Sequence, residues 1–153
     1  MAFGDLKGTL SRSVASIANP TTTIAGSIVV AVGDLIFGVC NEQTDNTATG
    51  ASDDLGNSYS AVNAGSDAGT VTSRAFYSRV TVAGTLTTVS FAATASANNA
   101  VVSAAVIEGP FADPPLDANP ANITNDLTTP YDCPATGTLA QASEVVMCWF
   151  TAD

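Results

Sequence analysis

From residue 22 onward, short apolar or β-branched runs alternate with clusters of Gly, Asp, Asn and Ser. The runs at 27–32 and 35–41 are almost continuously apolar, and 57–63 follows a turn signal. Residues 71–80 mix Thr, Arg, Phe, Tyr and Val in rough alternation. The 85–93 run alternates clearly. Strict period-2 geometry puts Leu86, Thr88, Ser90 and Ala92 on one face and Thr87, Val89, Phe91 and Ala93 on the other. Runs at 100–108 and 145–151 complete the set. Turn signals separate them at Gly33-Asp34, 53–57, 65–69, Ala83-Gly84, Asn98-Asn99 and Gly109-Pro110. Short strands spaced by regular turns predict an all-β fold: an antiparallel β-sandwich of jelly-roll or immunoglobulin-like type. Residues 82–85 read as a tight connection between two antiparallel strands.

Two segments break this rhythm. In residues 1–23, Phe3, Leu6, Leu10, Val14 and Ile17 recur at three- or four-residue spacing. That spacing fits a short amphipathic helix. An extended arm lying across a neighbouring subunit, or a first strand with its lead-in, fits as well. The second segment, 110–138, holds six of the seven prolines: Pro110, Pro114, Pro115, Pro120, Pro130 and Pro134. Proline removes backbone donors and blocks central strands, so this stretch reads as a long ordered loop wrapping one edge of the sandwich. The expected organisation is an N-terminal arm or lead-in strand over 1–23 and one sandwich domain over 24–153 that includes the loop.

Charge narrows the function. The chain of 153 residues carries a net charge of −10 and only 12% charged residues. Lys7 and Arg12 against Asp5 give residues 1–23 a charge of +1, which leaves −11 on the rest. Such a surface is poorly suited to nucleic acid, which needs Lys and Arg to neutralise phosphates, or to an anionic membrane. No apolar run approaches the roughly 20 residues of a spanning helix. Neither partner is expected.

Catalytic constellations are scarce. There is no histidine, so Ser-His-Asp and Cys-His devices and histidine metal sites are excluded. Glu42, Glu108 and Glu144 offer carboxylates for a glycosidase pair, but nothing in the sequence brings two together. No enzyme activity and no cofactor are expected. Asp53, Asp54 and Asn57 supply oxygens that suit calcium, although the EF-hand spacing is absent. The simpler reading is that they shape a turn through side-chain to backbone bonds, with no metal. Asp113, Asp117, Asp126 and Asp132 read as solvated loop acids. Tyr59, Phe76, Tyr77, Tyr131 and Trp149 raise a carbohydrate-stacking option; adjacent Phe76 and Tyr77 face opposite sides of a strand, and Trp149 sits in an apolar run. The odd set of cysteines (Cys40, Cys133 and Cys148) leaves three readings open: buried inert thiols, one disulfide with a free thiol, or a bridge between chains.

Five motifs, taken in order, carry a resemblance. They are Gly33-Asp34-Leu35-Ile36; Asp53, Gly56, Asn57 and Tyr59; Phe76-Tyr77; Ala83, Gly84, Thr85, Thr87, Val89 and Phe91; and Ile107-Glu108-Gly109. Together they resemble the β-sandwich modules of bacteriophage structural proteins, of capsid decoration or tail and fibre type, and of some bacterial surface proteins. The resemblance spans roughly 25–109 and implies a virion structural protein, first of all a capsid decoration (cement) protein. Its implied partners are the major capsid protein and other copies of itself, as a homo-oligomer. The first residues hold no apolar run of the secretory kind, so the expected route is synthesis in the host cytoplasm and residence in the virion. The expected assembly contacts are Phe3, Leu6, Lys7, Leu10 and Arg12 in the N-terminal segment and Pro114, Pro115, Pro120 and Tyr131 in the Pro-rich loop. A tail or fibre protein that binds host glycan and a bacterial surface adhesion module remain alternative readings.

Overall fold

The computed structural model describes residues 3–14, 21–43, 48–62, 65–67, 71–93, 100–115, 145 and 147. These form an all-β sandwich of two antiparallel sheets. The large sheet runs β1 (Leu6–Val14), β9 (Ala100–Ile107), β3 (Leu35–Gln43) and β7 (Val71–Arg79). Two short strands, β5 (Ser60–Ala61) and β6 (Gly65–Asp67), share the free edge of β7. The small sheet has β8 (Gly84–Ala93) between β2 (Thr21–Val30) and β4 (Ala48–Asp53).

The chain changes sheet at almost every step: β1 to β2, β2 to β3, β3 to β4, β4 to β5, β7 to β8 and β8 to β9. Residues 82–85 therefore do not close a hairpin, contrary to expectation. The segment after β7 arches over to the opposite sheet, held by the Thr81 and Val82 amides, which both donate to Asn57 Oδ1 at 2.9 Å. Of the three readings of the N-terminal segment, the structure takes the first strand. β1 pairs along its length with β9, from Leu6↔Ile107 to Val14↔Ala100. Leu10 is buried in the main core, so this strand is part of the sandwich and not an appendage.

Core side chains come from both sheets. Ile24, Ile28, Val30, Leu86, Val89 and Phe91 face Ile36, Cys40, Phe76, Val102, Ala104 and Val106. Phe76 and Phe91, the largest fully buried side chains, meet between the sheets with ring centroids 6.1 Å apart. Gly38 makes that contact possible: a Cβ there would stand 2.8 Å from Phe91 Cζ. β3 is covered on both faces. Ile36 and Cys40 look into the core, while Leu35 and Val39 are buried on the other side against Ile107, Phe111, Val62 and Ala75. A strand buried on both faces needs no polar positions, which is why 35–40 shows no alternation.

Alternation also fails in β8, for a different reason. Leu86, Val89 and Phe91 are all buried, although Leu86 and Val89 are three residues apart. The phase slips at Thr87-Thr88, whose successive amides both donate to Asp54 Oδ1, at 3.0 and 2.9 Å. β4 goes unseen in the sequence because Ala-Thr-Gly-Ala-Ser-Asp has no apolar stripe; pairing with β8 makes it a strand. β6 lies inside a stretch read as a turn, and only Ser60–Ala61 of the expected 57–63 strand is extended and paired. Phe111 packs on Leu35 and Ile107, with Val145 and Met147 against the same cluster. The described part of the Pro-rich segment thus begins over the outer face of the large sheet, where apolar side chains need a cover, rather than along an edge. Apart from Val145 and Met147, the expected 145–151 strand lies outside the described residues.

Gly38→Val should lower stability by about 1–3 kcal/mol, because the added side chain drives Phe91 out of its rotamer. Urea unfolding measures this. Phe91→Leu in the same chain should recover part of the loss, and no loss in the single variant would contradict the packing.

Candidate functional site

The sequence motifs at Gly33-Asp34 and Glu108-Gly109 lie 75 residues apart and meet at one end of the sandwich. Gly33 has φ +96°, a left-handed conformation that glycine adopts without strain. It turns the chain from β2 into β3, and its N–H donates to the Val80 carbonyl at 2.9 Å. Val80 N–H donates to the Asp34 carbonyl at 2.8 Å in return. The strand ends at 107–111 press against this turn, and a Cβ on Gly109 would collide with the Gly33 carbonyl.

Asp34 is almost fully buried, and both carboxylate oxygens accept hydrogen bonds. Oδ1 accepts the Gly109 amide at 3.0 Å. Oδ2 accepts the Ala31 amide at 2.8 Å and the Lys7 ammonium at 2.7 Å. Lys7 Nζ also stands 3.2 Å from Glu108 Oε2. Lys7 reaches this place through an irregularity in β1: Leu6 pairs with Ile107 and Gly8 with Val106, so Lys7 is an extra residue in the ladder. Such bulges in edge strands re-aim a side chain. Here the bulge leaves Lys7 with a side chain only 9% exposed. Burial pushes the Asp34 carboxyl up, but the Ala31 amide, Lys7 and the Gly109 amide outweigh it and hold it below the usual range. The Asp34 hydrogen bond raises the Lys7 ammonium, against burial and with help from Glu108. Both groups stay charged near neutrality and engage each other.

The second constellation is the turn after β4. Asp53 Oδ1 accepts the Leu55 and Asn57 amides at 2.9 and 3.1 Å. Asp53 Oδ2 accepts Asn57 Nδ2 at 3.1 Å and the Tyr59 hydroxyl at 3.0 Å. Burial and the Asp53 charge push the Tyr59 phenol up. Asp54 is taken by Thr87 and Thr88, and Asn57 Oδ1 by Thr81 and Val82. The oxygens considered for calcium are bonded to protein donors and shape the turn. Among the described residues no group of three or more acidic or cysteine ligands gathers for a metal.

The third lies in the core. Glu42 is buried, with the Cys40 thiol 3.6 Å from Oε1, and Oε2 has no hydrogen-bond partner. Arg74, opposite Cys40 in register, donates from Nη1 to the Ala48 carbonyl at 3.0 Å and lies over the Phe76 ring. Burial raises the Glu42 carboxyl, partly opposed by the Cys40 contact. Cys40 is a free buried thiol, pushed up by burial and by Glu42. Cys133 and Cys148 lie outside the described residues.

The sequence-predicted residues fare differently. Glu42 pairs with Ala100 in register, and Glu108 follows eight residues later along the same strand direction. That is about 27 Å, far beyond glycosidase spacing. Glu144 lies outside the described residues. Lys7 and Leu10, expected as docking residues, are corrected: one is held in an internal ion pair and the other is buried in the protein's own core. Phe3 is partly exposed and packs tilted against Phe111, with ring centroids 4.8 Å apart, while Leu6 is 61% exposed. Arg12 lies in β1, and its side chain is outside the description. Pro114 is exposed and Pro115 half-buried; Pro120 and Tyr131 fall outside the described residues. Comparison with protein-family models, curated proteins and solved structures gives no match.

Lys7→Met should cost about 3 kcal/mol, because it leaves buried Asp34 without its cation. Chemical denaturation at pH 7 reads it, and a midpoint equal to that of the parent would refute an energetic role for the pair. Glu42→Gln should stabilise the protein at pH 7. The carboxyl is raised above its ordinary 4.5 only in the folded state, so ionisation above pH 4.5 favours unfolding. The gain over the parent should therefore vanish below pH 4.5 and grow above it. Thermal melts of both chains from pH 4 to 8 test the sign.

Proposed function

We propose that this chain is a non-enzymatic virion structural protein. Its role is that of a capsid decoration protein, carried on the outer surface of the shell and bridging subunits of the major capsid protein. The observation that supports this is how the described polar groups are used. Lys7, Asp34 and Glu108 tie strand ends together, and Asp53, Asp54 and Asn57 tie the turns that cross between sheets. The chemistry maintains a scaffold, and the exposed residues among those described are mostly Ser, Thr, Ala and Val. Such a module presents surface, and its function lies in what that surface touches.

Docking falls to the exposed members of the expected set, Phe3, Leu6 and Pro114. The glycan-binding alternative has less support among the described residues. Phe76 is in the core, Tyr59 is bonded to Asp53, and Tyr77 packs with Leu35 and Val39 neighbours.

The test is to add the purified protein to capsid shells that lack it and to image them by cryo-EM. Density in many copies on the shell is the expected result. Leu6→Asp should abolish that density while leaving the fold intact, since Leu6 is exposed. Density at the tail alone, or none, would overturn the decoration reading.

A further inference from the structure

We propose that Lys7 and Asp34 condense with each other: the folded protein forms an amide (isopeptide) bond between Lys7 Nζ and Asp34 Cγ, with Glu108 relaying the proton. The ion pair described above is the state before reaction. The inference is independent of the decoration reading.

Placement is the first ground. Lys7 Nζ lies 2.7 Å from Asp34 Oδ2, so Cγ is within about 3.9 Å of the nitrogen. Reacting atoms held at roughly 3–3.5 Å are in a near-attack arrangement, and a small shift of the flexible lysine stem closes the difference. The bulge in β1 is what aims Lys7 there. The two side chains are 9% and 3% exposed, so little water reaches the pair. Oriented partners in one molecule act at effective molarities of about 10⁵–10⁸ M, far above the concentration of water, which favours the amide over its hydrolysis.

The groups around the pair are the second ground. One carboxylate is enough to neutralise one lysine, yet two face Lys7. Asp34 has backbone donors on both oxygens, from Gly109 at 3.0 Å and Ala31 at 2.8 Å. Fixed N–H groups of this kind stabilise the charge that grows on an attacked carboxyl. Glu108 is arranged differently. Its Oε2 is buried, has no satisfied hydrogen bond, and stands 3.2 Å from Lys7 Nζ. An idle carboxylate oxygen within reach of an amine is a base already in position.

Energetics point the same way. A buried ion pair keeps the cost of stripping two charges of water, and a neutral amide does not. β1 is an edge strand with β9 as its one neighbour in the sheet, and edge elements open first. A bond from residue 7 to residue 34 fastens that edge to the turn that begins β3. Among the described residues the cysteine, Cys40, is a free thiol, so no disulfide does this there.

The step balances without an oxidant or co-reactant. Nζ passes one proton to Asp34 Oδ2, which leaves a neutral amine and a carboxylic acid. The Nζ lone pair forms the C–N bond at Cγ, and the carbonyl electron pair moves onto Oδ1 beside the Gly109 amide. Glu108 takes a second proton from the nitrogen and delivers it to the hydroxyl at Oδ2. The Cγ–Oδ2 bond breaks, Oδ2 departs as water, and the Oδ1 carbonyl re-forms. One proton stays on the amide nitrogen and Glu108 ends as it began. Both reacting groups are charged beforehand, so the first transfer contributes to the barrier and the bond forms after folding.

Intact-mass spectrometry of the purified full chain, kept folded until its mass is constant and then denatured, tests this. The expected mass is about 18 Da below that of the sequence, the loss of one water. Trypsin should fail to cut after Lys7 and should release residues 1–12 joined to residues 13–74, with fragmentation placing the link at Lys7 and Asp34. Glu108→Gln should slow the mass loss by about a hundredfold or more. A parent that keeps its full sequence mass, or a link that maps to Glu108 instead of Asp34, would overturn the inference. Equal rates in the parent and Glu108→Gln would remove Glu108 from the reaction.

Discussion

A buried carboxylate destabilises the fold unless donors surround it, and Asp34 is surrounded by groups from four separate segments. Ala31 supplies an amide from the turn, Gly109 one from the end of β9, and Lys7 a cation from the bulge in β1. The Asp34 main chain, in turn, binds Val80 at the end of β7. One residue thus sets where strands of both sheets end. The glycines on either side follow from the same constraint, since Gly33 turns left-handed and Gly109 passes too close for a side chain. The N-terminal strand belongs to the sandwich for the same reason: its lysine neutralises the buried acid.

The contrast with Glu42 shows what that surrounding is worth. Both acids are buried on the large sheet, near opposite ends of β3. Asp34 has two amides and an ammonium, and its carboxyl is held down. Glu42 has only a thiol and one idle oxygen, and its carboxyl is pushed up. Burial is similar; the donors differ. The first acid ties the fold together and the second loads it.

The same economy of charge shapes the outside. Lys7, Asp34, Asp53 and Asp54 are all engaged with other parts of the chain, and β2 and β8 carry no charged residue.

Period-2 patterning, β-branched runs and turn residues are local properties, so the all-β class and most strands could be read directly: β3, β7, β8 and β9 fall where the apolar runs lie. The aspartate-rich turn was legible too, because Asp and Asn act on backbone within a few residues. What could not be read depends on contacts far along the chain. Turn signals mark where a strand stops but not which sheet the next one joins, so 82–85 resembled a hairpin and is an arch. β4 has no apolar stripe, and only β8 makes it a strand. Lys7 looked like a surface cation in a basic segment until Asp34 and Glu108, distant in sequence, arrived beside it. Local chemistry by itself determined the all-β class and the strands that carry apolar runs; β4, the pairing of sheets and the burial of the ion pair were decided only when segments remote in the chain had to satisfy one another's hydrogen bonds and charges.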